Sequence, residues 1–314
     1  MLSKMVMKPK DQWWREAYHL NRYLAGKSDA HIVTRLRYLI ETILTLSPTG
    51  KIGIEGQGEL GEWLLARLTH TREEMALRGM QPPDGFLVGA HVPRVAHPNP
   101  PAELTSYERR SRSDPGQVFK FGKKKYLIPA LKEGSLRFSG ARSYEDPSLN
   151  SAIQDDEISL TIYPTQTSTI PILGTPTMAA DDGLTLTHHT DYYVQCFSTR
   201  HTLRMYEDFS ADCCLIIYDA REFGNRIFHC LRARFPDWIV GSIPVSYVDP
   251  DDPGHLPLPI PAAKHMKYAY QREERIICHS KSETFNQLQP FTVKVGSLED
   301  IAELIEVEGS HLKT

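Results

Sequence analysis

Between Ala96 and Glu103 the chain reads AHPNPPAE, and its hydrophobic periodicity changes there. Proline removes backbone donors and fixes φ, so neither a helix nor a central strand runs through such a stretch. Upstream, apolar residues recur at helical spacing. Asp11 to Ala25 places Trp14, Ala17 and Tyr18 on one side, and Ser28 precedes a stripe of Ile32, Val33, Leu36, Leu39, Ile40 and Ile43 that stops before Pro48 and Gly50. A third helix is predicted from Glu59 to Arg78, ending at Gly79. Downstream the period shortens to that of strands separated by turns. This predicts an α+β chain: a mainly helical region over residues 1–105, ending in the proline-rich linker, then an α+β domain over 106–314 with mostly antiparallel strands.

In that second part the expected strands are Val118–Phe121, Ser135–Ser139, Glu157–Tyr163, Leu184–His188, Tyr192–Phe197, Cys213–Tyr218, Trp238–Val248, Arg275–His279 and Phe291–Val295. Helices are expected over Lys124–Lys132, closed by Gly134, over Ala220–Phe235, and over Leu298–Ile305 behind a Ser297 cap.

Composition excludes several classes of function. The 314 residues carry a net charge of -3, without the global basic excess of many nucleic-acid binders. No apolar run reaches the length of a membrane span, and the opening MLSKMVMKPKDQWW lacks the apolar centre of a signal peptide, so the chain reads as cytoplasmic. Five cysteines without C-x-x-C spacing read as reduced core thiols. Thirteen histidines without H-E-x-x-H give no metal site, and none is expected.

Two stretches carry chemistry. Gly56-Gln57-Gly58-Glu59-Leu60-Gly61 fits G-x-G-x-x-G and opens a helix, but the two preceding elements are helices, so it reads as a glycine turn that lets a helix pack closely. In KHMKYAYQREERIICHS, the run from Lys264, the residues Gln271, Glu273 and Arg275 alternate. An extended backbone puts them on one face, with Arg272 and Glu274 on the other. A carboxylate between an amide and a guanidinium suits a sugar; the plainer alternative is a solvated edge strand.

Short motifs occur in a fixed order: Phe119-Lys120-Phe121, Gly134-Ser135-Leu136-Arg137-Phe138-Ser139, Tyr144-Glu145-Asp146-Pro147, Cys196-Phe197-Ser198, Met205-Tyr206 and Tyr270-Gln271-Arg272-Glu273-Glu274-Arg275. The set resembles a widespread bacterial domain of unknown function with the pattern Y-K-Y, G-x-L-R-F-S, F-N-D-P-F, C-F-S, M-W and Y-E-x-E-Y-R, a relative of the ADP-ribosyltransferases. It spans residues 118 to about 305. Departures are Glu145 for Asn, Ser148 for an aromatic, Tyr206 for Trp and Gln271 for Glu. The last turns E-x-E into Q-x-E and speaks against arginine as the acceptor.

The resemblance implies an ADP-ribosyltransferase-like split antiparallel β-sandwich and an NAD-dependent mono-ADP-ribosyltransferase acting on RNA, DNA or protein. Such enzymes are often toxins or anti-phage effectors held in check by a neutralising partner. Breaking the nicotinamide–ribose bond builds oxocarbenium charge, which a carboxylate on a ribose hydroxyl stabilises. Glu273 takes that role and Gln271 orients the acceptor. Lys120 or Arg137 supplies positive charge for the pyrophosphate, Tyr144 or Tyr126 a stacking ring, and Ser198 a brace for the glutamate. Phe121, Ser139 and Arg275 complete the expected NAD-binding set. Each has a plainer reading: Lys120 and Lys123–Lys125 as a solvated run, Arg137 as a partner of Asp146, Ser198 as structural. An NAD glycohydrolase and an inactive nucleic-acid-binding module, using Arg109, Arg110, Arg112 and the lysines, are the competing functions.

Overall fold

The computed structural model describes residues 9–46, 51–54, 56, 58–88, 90–93, 116–163, 175–178, 183–254 and 259–306. The expected linker at 96–103 and Arg109, Arg110 and Arg112 lie outside them. The chain separates into two compact units, Met1–Leu44 with Gly53–Val92, and Thr45–Ile52 with Pro93–Thr314.

The first unit is built on α1 (Lys10–Leu20), α2 (Asp29–Ile43) and α3 (Gly58–Leu77). Ser28 caps α2, its hydroxyl accepting from the His31 amide, and Gly79 ends α3 at φ 65°. The apolar stripe packs as expected: Ile32, Leu36, Leu39 and Ile43 are buried. Beside it lies a polar core that periodicity does not reveal. Glu74, fully buried, accepts from Tyr18 and from Arg22 and Arg78, three donors that offset its desolvation. Gly58 opens α3 at φ 73°, and a Cβ on Gly56 would meet Leu65 at 3.0 Å, so the glycine stretch serves a tight turn. Two short strands, β1 (Leu44–Leu46) and β2 (Ile52–Ile54), lie between α2 and α3.

The second unit is α+β with antiparallel sheets. Its strands are β3 (Val118–Gly122), β4 (Ser135–Gly140), β5 (Ser159–Ile162), β6 (Thr175–Met178), β7 (Leu184–Thr187), β8 (Tyr193–Ser198), β9 (Cys213–Ile217), β10 (Trp238–Pro244), β11 (Ser246–Val248), β12 (Ala263–His265), β13 (Glu273–Ser280), β14 (Phe291–Lys294) and β15 (Ala302–Glu306). Helices α4 (Lys124–Glu133), α5 (Arg204–Asp208) and α6 (Ala220–Arg234) complete it. The main sheet runs β10-β13-β8-β3-β9-β15, with β4 on β8 and β14 on β4. β5, β7 and β6 form a separate antiparallel sheet, and β11 pairs with β12 in parallel.

At β8 the sheet forks. One side of β8 lies along β13. On the other, Tyr193 and Val194 pair with Gly140 and Ser139 of β4, whereas Ser198 stands opposite Phe119 of β3. α4 joins the two branches. It closes at Gly134, whose φ of 62° requires the left-handed region, and β4 departs at once. Apolar side chains of β3, β4, β8, β9 and α6 fill the core between the sheet and its helices.

Two expectations fail. Residues 298–305 form no helix: Ala302–Glu306 pairs antiparallel with β9, from Ala302 opposite Ile217 to Glu306 opposite Cys213. β9 is buried throughout, and its open edge needs partners for N–H and C=O groups; that requirement overrides the helix propensity of Ala, Glu and Leu. The Ser297 hydroxyl accepts only the Glu299 amide, closing a local turn. The strand expected over Trp238–Val248 is two strands: β10 ends at Pro244, and β11 turns away to pair with β12.

Candidate functional site

At the fork lies a cavity of about 230 Å³. Of the residues nominated from sequence, Lys120, Phe121, Tyr144, Ser198, Gln271 and Glu273 line it. They come from β3, the 3₁₀ turn Ala141–Glu145, the end of β8, the 3₁₀ turn Met266–Gln271 and the start of β13.

Glu273, Gln271 and Arg275 are all buried, so this is not a solvated edge strand: β13 runs between β10 and β8. The extended alternation holds only for Glu273 and Arg275. Gln271 ends the 3₁₀ turn, and Arg272 follows at φ 50°, a left-handed residue that swings the chain into β13. Gln271 therefore reaches the cavity through a turn rather than along a strand.

Around Glu273 the charges alternate in a closed ring. Its Oε1 accepts from Lys264 Nζ at 2.6 Å and its Oε2 from Arg275 Nε at 3.0 Å. Lys264 Nζ also lies 3.2 Å from Glu157 Oε1, and Arg275 Nη2 makes an ion-pair contact of 2.5 Å with Glu157 Oε2. Burial pushes the Glu273 carboxyl up, but Lys264 and Arg275 outweigh it and hold it well below the usual carboxylate range. For Lys264, burial works against the charged form, and Glu157 and Glu273 more than reverse this, raising it well above the usual value. Asp155, 3.7 Å from Lys264 Nζ, is pushed up to about 7 by burial, against the pull of Lys264.

The amide of Gln271 is fixed at both ends. Its Oε1 accepts from Lys264 Nζ at 3.2 Å, and its Nε2 donates to the Ala152 carbonyl at 2.7 Å and the Tyr270 hydroxyl at 3.3 Å. Ser198 stands opposite Glu273 in the β8–β13 register, and its hydroxyl reaches the Gln271 carbonyl at 2.8 Å and that of Arg200 at 2.7 Å. It braces the backbone that carries the glutamate.

Lys120 is not a solvated lysine. Its Nζ donates across the fork to the Cys196 carbonyl at 2.8 Å and lies 5.3 Å from the centre of the Phe197 ring. Burial lowers its pKa, and Glu273 only partly offsets the effect. Cys196 also lines the cavity, its thiol pushed up to about 12 by burial and by Glu273, so it is protonated at neutral pH.

The other nominated residues lie elsewhere. Arg137 is exposed on β4, opposite Thr292 of β14, and no ion pair joins it to Asp146, whose carboxylate takes the Ser148 amide. Ser139 pairs with Val194 outside the cavity lining. Arg275 sits behind Glu273 and donates to the Pro261 carbonyl at 2.9 Å. Tyr126 is 64 % exposed on α4, so of the two tyrosines only Tyr144 lines the cavity.

Sequence reasoning missed Lys264 and Glu157, both of which line the cavity. Lys264 lies in the same stretch as Glu273, but only the reversal through Met266–Gln271 returns it to the carboxylate. Glu157 gave no signal beyond the start of an expected strand. Among the described residues no cluster of metal-ligating side chains exists, and no helix is long and apolar enough to cross a membrane. No protein-family model, curated protein or solved structure matches the chain.

Proposed function

We propose that the second unit is an NAD-dependent mono-ADP-ribosyltransferase acting on a macromolecule, with the forked sheet as an ADP-ribosyltransferase-like split antiparallel β-sandwich. One observation carries the reading: six of the ten residues nominated from sequence, from Lys120 to Glu273, converge on one cavity around a carboxylate held ionised.

The chemistry fits that arrangement. As nicotinamide leaves, positive charge grows on the ribose, and a buried anion opposing it stabilises the transition state more than the ground state. Glu273 uses one lone pair of each oxygen on Lys264 and Arg275, and each oxygen keeps another for a ribose hydroxyl. Lys120 offers a cation for a phosphate, and Tyr144 and Phe121 offer rings for nicotinamide or adenine. At about 230 Å³ the cavity suits the nicotinamide riboside end of NAD rather than the whole molecule. In this reading the protein works in the cytoplasm on RNA, DNA or protein, as a toxin or anti-phage effector with a neutralising partner.

A second reading, NAD glycohydrolase, draws on Gln271. Both N–H groups of its amide are already given to Ala152 and Tyr270, which favours water as the acceptor over a residue oriented by that amide.

The protein and its Glu273→Gln variant, each checked for folding, are incubated with labelled NAD and a cell lysate, and labelled material is digested with nuclease or protease. Label with the unaltered protein alone supports the transferase, and the digestion that removes it identifies the acceptor. Free ADP-ribose without labelled polymer supports the hydrolase. If neither label nor nicotinamide appears, the enzymatic reading fails and the inactive binding module takes its place.

A further inference from the structure

The cavity holds a buried lysine that the proposed chemistry has not yet used. Lys264 Nζ lies 2.6 Å from Glu273, 3.2 Å from Gln271 Oε1 and 3.2 Å from Glu157, and 4.6 Å from the centre of the Tyr268 ring. Its side chain is 4 % exposed. An ammonium has three N–H donors, so these three acceptors match its capacity. Lys264 thereby joins three separate segments: the turn that carries Gln271, the strand that carries Glu273, and the loop ahead of β5 that carries Glu157.

We infer that Lys264 is the positioning residue of this site, a single ammonium that fixes the Glu273 carboxylate and the Gln271 amide relative to each other inside the cavity. This rests on the reading of Glu273 given above. Arg275 cannot replace it: it reaches Glu273 Oε2 from behind and makes no contact with Gln271. The other ionisable groups facing Glu273 work less directly or in the opposite sense. Lys120 on β3 faces it without a direct hydrogen bond, Cys196 and Glu157 add negative charge when ionised, and Tyr247 on β11 accepts its backbone amide. Without Lys264, Glu273 keeps one cation and loses the contact to its Oε1, and its pKa rises.

The test compares Lys264→Met and Lys264→Arg with the unaltered protein, together with Glu157→Gln/Lys264→Met, which removes one charge of each sign and guards against simple unfolding. Folding is followed by urea titration, the Glu273 carboxyl by carbon NMR titration assigned with Glu273→Gln, and nicotinamide release across pH. In the folded methionine variant the Glu273 resonance titrates at higher pH, kcat falls about 100-fold with KM little changed, and the acid limb of kcat/KM moves to higher pH. Arginine at 264 restores part of kcat and returns the acid limb. A folded methionine variant with unshifted Glu273 titration overturns the proposal, as does failure of both methionine variants to fold, which would make Lys264 structural alone. An unaltered protein that releases no nicotinamide sinks the enzymatic reading, while the NMR titration still decides whether Lys264 governs Glu273.

Discussion

Replacing Glu273 by Gln changes no shape and removes one charge, yet the structure makes it a costly substitution. An isosteric change at a solvated position costs little, but Glu273 is 7 % exposed and holds two buried cations. Glutamine offers one carbonyl oxygen and one NH₂. If the oxygen faces Lys264 the NH₂ meets Arg275 Nε, and if the amide flips the NH₂ meets Lys264; either way one donor confronts another. One charge-assisted hydrogen bond, worth about 1.5–3 kcal/mol, is lost outright, and the second now joins a cation to a neutral acceptor and is weaker than the ion pair it replaces. Lys264 and Arg275 then share Glu157 with an excess of positive charge, and breaking a buried pair in this way costs about 3–5 kcal/mol. For a unit of this size that is a fall of roughly 6–20 °C in melting temperature. The loss depends on pH in a fixed sense. Because the folded carboxyl lies below its unfolded value of about 4.3, its stabilisation is complete above that pH and disappears as pH falls through the folded pKa. The gap between the two proteins is therefore widest near neutrality and narrows below about pH 4. Thermal unfolding by circular dichroism over that range measures it, beside nicotinamide release at a temperature where both are folded. A variant that melts within about 2 °C of the unaltered protein at pH 7 would refute the ion ring as the setting of Glu273.

Other substitutions probe neighbouring parts of the site. Gln271→Glu, which would rebuild E-x-E, sets a carboxylate oxygen against the Ala152 carbonyl, now 2.7 Å from Nε2, and is expected to cost about 2 kcal/mol or more at pH 7. The cost shrinks as pH falls and the new carboxyl regains a proton to donate; urea midpoints at pH 5 and 7 check both size and sign, and equal stability at pH 7 contradicts the assigned amide orientation. Lys120→Met removes a partly buried cation whose hydrogen bond goes only to a carbonyl, so folding is expected to be unharmed while KM for NAD rises roughly 10–100-fold. An unchanged KM in steady-state nicotinamide release would remove Lys120 from phosphate binding. Gly134→Ala combines a φ of 62° with a Cβ 2.1 Å from the Gly296 carbonyl oxygen, where backbone must move, and is expected to cost about 3 kcal/mol or more in a urea titration. A smaller loss would mean that the turn from α4 into β4 is more compliant than it is drawn.

Much of this architecture was legible because it depends on local rules. Ser28 caps α2, Gly79 and Gly134 end their helices in the left-handed region, and the short strand runs bounded by turns became β3, β4, β8, β9 and β13. What was not legible depends on partners. Residues 302–306 have the composition of a helix and form a strand because the β9 edge lies there. The same distinction applies at the site. Alternation says which residues share a face, but not whether that face meets water or the core; only β10 and β8 on either side of β13 decide it, and they bury Glu273 and Arg275 together.

Burial on that scale makes a carboxylate between two strands untenable without counter-charges, and this links the fold to the site. Lys264 and Arg275 come from the same stretch as Glu273, but Glu157, more than a hundred residues earlier, is needed to balance them. Removing any one member leaves a buried charge uncompensated, whereas the intact ring satisfies each member with the next. A ring of this kind holds Glu273 ionised at a depth where an isolated carboxyl would take up a proton, and it does so with one lone pair on each oxygen to spare. An anion that is dry, fixed and still able to accept a hydrogen bond is what developing positive charge on a sugar requires. Under the proposed transferase reading, the ring answers that chemical demand.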